Sequence, residues 1–440
     1  MSLSKLKSTE KSDFNSNSSS SLNSSSDYDS SLSSDEEDTQ DTNLQLFGKT
    51  LGKYNILNEL GRGSYSIVWL AFNIEDNNFY AIKVQHHDDY REGLDETKIM
   101  KRLPRSCDNL NHLVENFIYT VKQNKRKNRL VCSVYKLHCG NLDHFIRKGD
   151  YKKGMPIENI KMIFKQIING LDILHRAVKI FHGDIKPDNI LLKGINNKDK
   201  VIIEFYKKSD FNKRLNDSIK KYCNTNKIDN IDKKKKKDIR KKLHYLIVKT
   251  IFEELTRSNK LDNKLRYSFN EKYINNPSIS ISDFGDFCEE DEKFDEEFGT
   301  IYYRAPEVIL LSECDNKVDI WSAGCTLLEL LTGKILFDPK KDRDRDRNFY
   351  HLYEISQLSG KYSRKFLKST KFWKKYFTKK CKLKQLRESD EPKFSNWGDL
   401  LNKHNIYDDN LVDLLKQIFQ ISPNKRISAK KILEHKWLNF

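Results

Sequence analysis

The sequence predicts an α+β fold in which a strand-rich first part precedes a larger, mainly helical part. Residues 54–60, 81–83 and 130–137 have the alternating or β-rich pattern of strands. Residues 157–175 place apolar side chains on one broad helical face, and residues 411–440 predict a pair of amphipathic helices. Together, these patterns predict a small sheet followed by a helical body.

The chain of 440 residues can bury a large core, and its formal charge of +17 is unevenly distributed. Residues 1–46 hold nine Asp and Glu against three Lys and almost no large apolar side chains, so we expect a disordered Ser-rich, acidic tail. Residues 195–277 hold 23 Lys and Arg against 11 Asp and Glu. One segment therefore carries the basic excess.

The eight cysteines lack Cys-x-x-Cys or Cys/His spacing, which argues against a zinc site or a disulfide framework. We therefore expect a reducing, intracellular compartment, the cytoplasm, the nucleus or both. The polar N-terminus does not predict a signal peptide, and no apolar run approaches the roughly 18 residues of a membrane span. A monomer is the default expectation.

Residues 182–189, His-Gly-Asp-Ile-Lys-Pro-Asp-Asn, place an acid, a cation and an amide at fixed offsets. The carboxylate of Asp184 can orient the proton of a hydroxyl, and the ammonium of Lys186 can neutralise a γ-phosphate. The amide of Asn189 can hold a metal ion. This stretch predicts phosphoryl transfer to a hydroxyl group.

A Gly-rich stretch follows the first predicted strand, and its glycines would let a hairpin approach phosphates and donate backbone N–H groups. Alone, this pattern also fits an ordinary turn. A strand ending in Lys83 follows Val68 by 15 residues, however, which favours a nucleotide site. The predicted nucleotide-binding residues of the stretch are Leu60, Gly61, Arg62, Gly63, Ser64, Tyr65, Ser66, Ile67 and Val68.

Residues 94–100 predict an amphipathic helix that carries an acid able to pair with Lys83. Glu96, 13 residues beyond Lys83, is the candidate; Asp95 and Glu92 are alternatives because spacing alone does not fix the helical register.

Asp283, in Asp-Phe-Gly, is the second candidate metal ligand. With Asn189 it would hold Mg²⁺ between the β- and γ-phosphates of ATP. The predicted strands around these residues are 189–192 and 279–282. The resemblance of the motifs to those of protein kinases implies that the two strands form a hairpin, which residues 195–277 would interrupt.

Within the insert, the apolar stretch 243–255 predicts a helix that docks on the body. Its lysine run, 233–237, predicts a nuclear address, a nucleic-acid contact or a solvated charged surface.

The segment between Asp-Phe-Gly and Thr300 contains eight acids and no hydroxyl side chain before Thr300. The 182–189 stretch resembles the catalytic loop of eukaryotic protein kinases, many of which carry, where Gly183 stands, an arginine that receives an activation-loop phosphate. Both features predict constitutive activity. The acids would favour basic substrates, or would form a solvated loop without a specific role.

These motifs resemble those of eukaryotic Ser/Thr protein kinases of the CMGC group, and of the SR-protein kinases in particular. The resemblance implies a bilobal fold over residues 54–440, with a five-stranded small lobe and one main helix over 54–137 and a helical large lobe over 138–440. It also implies ATP as the donor and Arg-Ser-rich protein substrates. It rests on residues 60–70, 94–98, 182–187, 303–307, 319–322, 397–398 and 423–438.

Two structural roles and several departures complete the comparison. Asp319 is expected to bind the backbone of the 182–189 loop, and Glu307 to pair with Arg426. The SR-protein kinases carry acidic docking residues where 342–351 here has mixed charge, and an acid where Lys136 stands. The rival functions are a pseudokinase scaffold, which should lack Lys83, Asp184 or Asp283, and a nucleic-acid-binding protein.

Overall fold

The computed structural model describes residues 46–123, 126–228, 233–258, 260, 272–289, 294–384, 386–387 and 396–439. The predicted tail, residues 1–46, lies outside these ranges apart from Leu46.

A mixed-length antiparallel sheet forms the small lobe, in the order β1-β2-β3-β4-β6-β5. Its strands are β1 Thr50–Leu51, β2 Tyr54–Arg62, β3 Ser66–Asn73, β4 Phe79–Gln85, β5 Glu115–Gln123 and β6 Arg126–Tyr135. The expected sheet of five strands therefore gains a short sixth one. Gly52 adopts φ +60°, which reverses the chain so that Leu51 pairs with Tyr54.

Helix α1, Tyr90–Arg102, lies against β6 and buries Ile99 and Met100. It is longer at both ends than the predicted stretch 94–100. Three short strands complete the connections to the helical body: β7 His138–Asn141, β8 Ile180–Phe181 and β9 Ile190–Lys193.

Two central helices, α2 Ile157–Ile173 and α8 Lys317–Thr332, pack together in the core of the large lobe. Helix α2 buries the apolar face predicted from its sequence, including Ile160, Phe164 and Leu171. It continues as a π-helical turn, Leu174–Val178, rather than ending at His175 as predicted.

Between and after these helices lie strands β10 Ile279–Ile281 and β11 Cys288–Glu289 and a series of further helices. The remaining α-helices of the described residues are α3 Asn197–Lys208, α4 Phe211–Thr225, α5 Lys233–Arg257, α6 Lys272–Asn275, α7 Pro306–Ile309, α9 Arg347–Ser359, α10 Arg364–Lys368, α11 Trp373–Tyr376, α12 Trp397–Asn402, α13 Asp409–Ile418, α14 Ala429–Leu433 and α15 Lys436–Asn439.

The C-terminal part has three short α-helices, α13 to α15, where the sequence predicted two. A 3₁₀ turn at Pro423–Lys425 interrupts the chain, and Ser428 caps the next helix by accepting a hydrogen bond from the Lys431 N–H. The predicted pair Glu307–Arg426 is confirmed. Its N–O distances are 2.6 and 2.9 Å, and both side chains are fully buried.

The interrupted hairpin is also present, with Ile279 opposite Leu192 in the β9–β10 pair. The insert between these strands packs on the small lobe. Three of its helices, α3, α4 and α5, bury Ile202, Leu215 and Val248 respectively in one apolar cluster with Leu57 and Leu70 of the sheet. Since α5 contains residues 243–255, the predicted docking helix is confirmed.

Charged side chains of the insert lie outside that apolar cluster. Lys220, Lys221, Lys242 and Lys249 are exposed, as is Lys235, the described side chain of the 233–237 run. All eight cysteines are free. Among the described helices, none combines enough length and apolar character to cross a membrane.

Candidate active site

Asp184 is held from two sides in the loop between β8 and β9. Its Oδ1 accepts a hydrogen bond of 2.9 Å from the Thr300 backbone N–H, and its Oδ2 lies 2.6 Å from Lys186 Nζ. Lys186 also donates to Thr300 Oγ1 at 2.7 Å. The acid, the cation and a hydroxyl of the later segment therefore meet at one point.

The charge state of Asp184 follows from these contacts. Burial raises the pKa of its carboxyl, but Lys186 and the Thr300 N–H outweigh burial and hold the pKa below its ordinary value. Asp184 is thus a carboxylate at neutral pH, able to accept a hydrogen bond from a substrate hydroxyl.

Asp319 on α8 fixes the backbone of the loop, as predicted. Its Oδ2 accepts from the His182 N–H at 2.8 Å, and its Oδ1 accepts from the Gly183 N–H at 3.0 Å. His175 contacts the same carboxylate at 2.8 Å. These contacts orient the loop directly before Asp184.

Gly183 has a conformation that a larger residue would strain. Its φ is +81°, and a Cβ at this position would lie 2.3 Å from the Asp286 carbonyl oxygen. The backbone therefore leaves no room for an arginine at position 183.

Lys83 on β4 lies between two carboxylates. Its Nζ is 2.8 Å from Glu96 Oε1 on α1 and 2.7 Å from Asp283 Oδ1. Glu96 is thus the partner, whereas the alternative Asp95 pairs with Lys98. Burial lowers the pKa of Lys83, but Glu96 and Asp283 offset it and raise the pKa above its ordinary value.

Asn189 and Asp283, the candidate metal ligands, lie at the adjacent ends of neighbouring strands, Asn189 directly before β9 and Asp283 after β10. The Asn189 amide nitrogen donates to the Asp184 carbonyl at 2.8 Å and to its Oδ2 at 3.1 Å, which turns the nitrogen toward its own chain. The Ser282 N–H donates to the Asn189 carbonyl at 2.9 Å, so Asp283 follows directly beside it. One amide oxygen and one carboxylate form a hard donor set that fits Mg²⁺.

The Gly-rich stretch forms the hairpin between β2 and β3, closed by a bond from the Gly63 N–H to the Ser66 carbonyl at 2.9 Å. Neither Gly61 nor Gly63 has a positive φ. A Cβ at Gly63 would come no closer than 3.8 Å to its own chain. The turn itself therefore does not require glycine at position 63, and a side chain there would extend into open space. The hairpin contains all of the predicted nucleotide-binding residues from Leu60 to Val68.

The contacts that hold the segment 294–304 were missed by sequence reasoning. Glu297 accepts from Arg304 Nη1 and from Asn348 Nδ2, both at 2.5 Å. The rings of Phe294 and Phe298 pack on Phe181, next to the loop of Asp184. The sequence showed that the stretch before Thr300 is rich in acids. It did not show which side chains on other elements bind those acids.

Residues 342–351, compared above with an acidic docking site, bind their own cations. Asp342 contacts Arg345 at 2.8 Å, Asp344 contacts Arg387 at 2.7 Å, and Asp346 contacts Lys375 at 2.7 Å. The mixed charge noted in the sequence is therefore largely satisfied inside the chain.

Comparison with known proteins gives a family for this geometry. Residues 54–227 and 260–438 match the model of the protein kinase domain. A serine/threonine-protein kinase SRPK of Physarum polycephalum is 29% identical, covering 88% of this chain and 85% of that protein.

Two further relatives align over similar lengths. A putative serine/threonine-protein kinase of Acanthamoeba polyphaga mimivirus is 25% identical, covering 88% of this chain and 87% of its own. SRSF protein kinase 3 of Mus musculus is 24% identical, with 88% and 86% covered. The chain therefore belongs to the protein kinase domain family and is a serine/threonine protein kinase similar to the SR-protein kinases.

Proposed function

We propose that the chain transfers the γ-phosphoryl group of ATP to Ser or Thr in basic, Arg-Ser-type proteins without prior phosphorylation of its own loop. A protein kinase domain implies ATP as substrate and typically Mg²⁺. The arrangement of Asp184, Lys186 and the Thr300 N–H carries the proposal, because contacts between the chain's own groups bring the acid, the cation and the later segment together.

Each candidate residue has a role in this transfer. Asp184 orients the acceptor hydroxyl, and Lys186 offsets charge on the transferring phosphoryl group. Lys83, oriented by Glu96, holds the α- and β-phosphates under the hairpin of residues 60–68. Asn189 and Asp283 would hold Mg²⁺, which supplies positive charge to the phosphates when bound.

The basic substrate class is supported by the likeness to the SR-protein kinases, one of which is named for SRSF proteins. The acidic segment adds less than its composition suggests. Among its described residues, Glu289 contacts Arg102, Asp295 contacts Lys371 and Glu297 contacts Arg304. Glu290, Asp291 and Glu292 lie outside the described residues.

A second candidate function belongs to the insert. Its exposed lysines favour an added contact with nucleic acid, which should weaken steeply as salt rises. If the full chain does not bind a nucleic-acid duplex, or binds it independently of salt, these lysines form only a solvated surface. We place the protein in the cytoplasm, the nucleus or both, as a monomer.

The test is phosphate transfer by the unphosphorylated full chain to an Arg-Ser repeat peptide, compared with an acidic Ser peptide. The Asp184→Ala variant is the control, and its rate should fall by about 10³-fold. Preference for the Arg-Ser peptide supports the proposal. Preference for the acidic peptide contradicts the substrate class, whereas no transfer above the control by a folded chain would favour the pseudokinase scaffold.

A further inference from the structure

We propose that Glu297 is a positioning residue that takes the place of an activating phosphate, by clamping the segment whose backbone N–H holds Asp184. The inference rests on the proposed activity of the unphosphorylated chain and names the device that provides it.

In the clamp, the carboxylate of Glu297 binds both Arg304 of its own segment and Asn348 of helix α9. Glu297 Oε2 accepts from Arg304 Nη1, and Glu297 Oε1 accepts from Asn348 Nδ2 on α9, each at 2.5 Å. The side chains of Glu297 and Arg304 are 24% and 19% exposed, so bulk water screens this pair less than a surface pair. Both carboxylate oxygens are therefore used by fixed partners.

Arg304 passes this anchorage to the backbone. Its Nε donates to the carbonyls of Phe298 and Gly299, both at 3.0 Å. These two residues directly precede Thr300, whose N–H donates to Asp184. A guanidinium with several donors suits this task, because it can bind a carboxylate and carbonyls at once.

Close packing leaves the segment little freedom at the catalytic loop. Gly299 has φ +67°, and a Cβ there would lie 2.5 Å from the Gly183 carbonyl. A shift of Phe298 and Gly299 would therefore move the Thr300 N–H away from Asp184. Small displacements of a catalytic group can reduce a rate by about 100-fold.

The anion at position 297 binds a cation other than the arginine that a phosphorylated loop would need at position 183. A phosphorylated loop requires a cation to bind it, and Gly183 supplies none. Here the acid, Glu297, and its cation, Arg304, both belong to the segment 297–304, and Asn348 supplies a further donor, so neither modification nor an arginine at 183 is required.

Other acids in the segment lack this arrangement. Asp295 pairs with Lys371 at 2.6 Å, but its side chain is 92% exposed. It is thus a matched control, since it shares the loop and the charge without the contact to Arg304.

The experiment compares full-length Glu297→Ala, Glu297→Gln and Asp295→Asn after phosphatase treatment. We expect kcat to fall by about tenfold or more in Glu297→Ala and less in Glu297→Gln, which keeps one acceptor, with KM for ATP unchanged. Asp295→Asn should stay within about twofold of the unchanged chain. Of these three variants, only Glu297→Ala should show faster hydrogen exchange in residues 296–301.

If Glu297→Ala unfolds, Asn348→Ala tests the clamp in its place. It should lower kcat by a smaller factor than Glu297→Ala and should also accelerate hydrogen exchange in residues 296–301. A folded Glu297→Ala or Asn348→Ala with unchanged kcat and unchanged exchange overturns the clamp while leaving the kinase assignment intact. An unchanged chain that is inactive until its loop is phosphorylated overturns the proposed function instead.

Discussion

The candidate active site around Lys83 and Asp184, called the cleft below, and the insert of residues 195–277 are held by opposite kinds of contact. In the cleft, charged groups pair at 2.6 to 3.0 Å, Lys83 with Glu96 and Asp184 with Lys186. The insert instead attaches through buried Val248 and Ile251 to the apolar surface of the small-lobe sheet, and several of its lysines remain exposed.

This difference separates stability from chemistry. Ion pairs in the cleft orient the groups that we propose act on phosphate, and breaking one should mainly change the rate. Apolar burial under the insert removes surface from water without touching the reacting groups, so breaking it should mainly change the free energy of unfolding. Substitutions in the two regions should therefore have opposite signatures.

The largest effect is expected in the cleft. Glu96→Gln removes the charge that orients Lys83 and should lower kcat/KM for ATP by about 100-fold with little change in Tm. Steady-state kinetics with varied ATP measure this loss. Asp95→Asn is the matched control, because Asp95 lies next to Glu96 but pairs with Lys98 in solvent. Equal losses in both variants would contradict the assignment of Glu96.

In the insert, Ile251→Ala should lower the free energy of unfolding by about 3 kcal/mol, since the side chain is 1% exposed and a cavity would remain. Its kcat should change little. Leu246→Ala, on the same helix but 46% exposed, should have a much smaller effect on unfolding. Urea unfolding measures both. A large loss of kcat in Ile251→Ala would show that the insert also supports the cleft.

A smaller, pH-dependent effect is expected at His351, on α9 near the clamp. Both ring nitrogens are buried without a hydrogen-bond partner among the described residues, and burial lowers the pKa to about 3. The unfolded chain binds a proton at this histidine more readily than the folded chain. The contribution of neutral His351 to the free energy of unfolding is therefore complete above about pH 6.5 and declines as the pH falls toward 3.

His351→Leu should therefore reduce the loss of unfolding free energy between pH 7 and pH 5 by about 2 kcal/mol. Urea titrations at the two pH values measure the difference. An identical pH dependence in the variant would show that His351 is not protonated on unfolding.

The smallest effect is expected at the exposed pair Asp295–Lys371. Asp295→Asn should leave Tm unchanged, because a pair in solvent contributes little. A marked fall in Tm would mean that the acidic segment is held by more than the Glu297 clamp.

Sequence reasoning located the candidate residues where chemistry fixes residue type and spacing. Lys83, Asp184, Asn189 and Asp283 lie in motifs whose spacing places them around one cleft, and the hairpin of β9 and β10 followed from them. The partner of Lys83 needed the structure, since only the helical register distinguishes Glu96 from Asp95.

The rest depends on contacts between distant parts of the chain. Asn348 reaches Glu297 across 51 positions, and Thr300 reaches Asp184 across 116. No local pattern encodes such pairs. The docking surface of the insert was likewise hidden, because apolar residues 243–255 predict a buried helix face without indicating what covers it.

The central claim is that the cleft is complete without phosphorylation, and one time course tests it most directly. Phosphatase-treated protein, shown by intact mass spectrometry to carry no phosphate, is mixed with ATP, Mg²⁺ and an Arg-Ser peptide. We predict a linear rate from the first turnover while the protein mass stays unchanged. A lag that ends only as the protein gains phosphate would contradict the account.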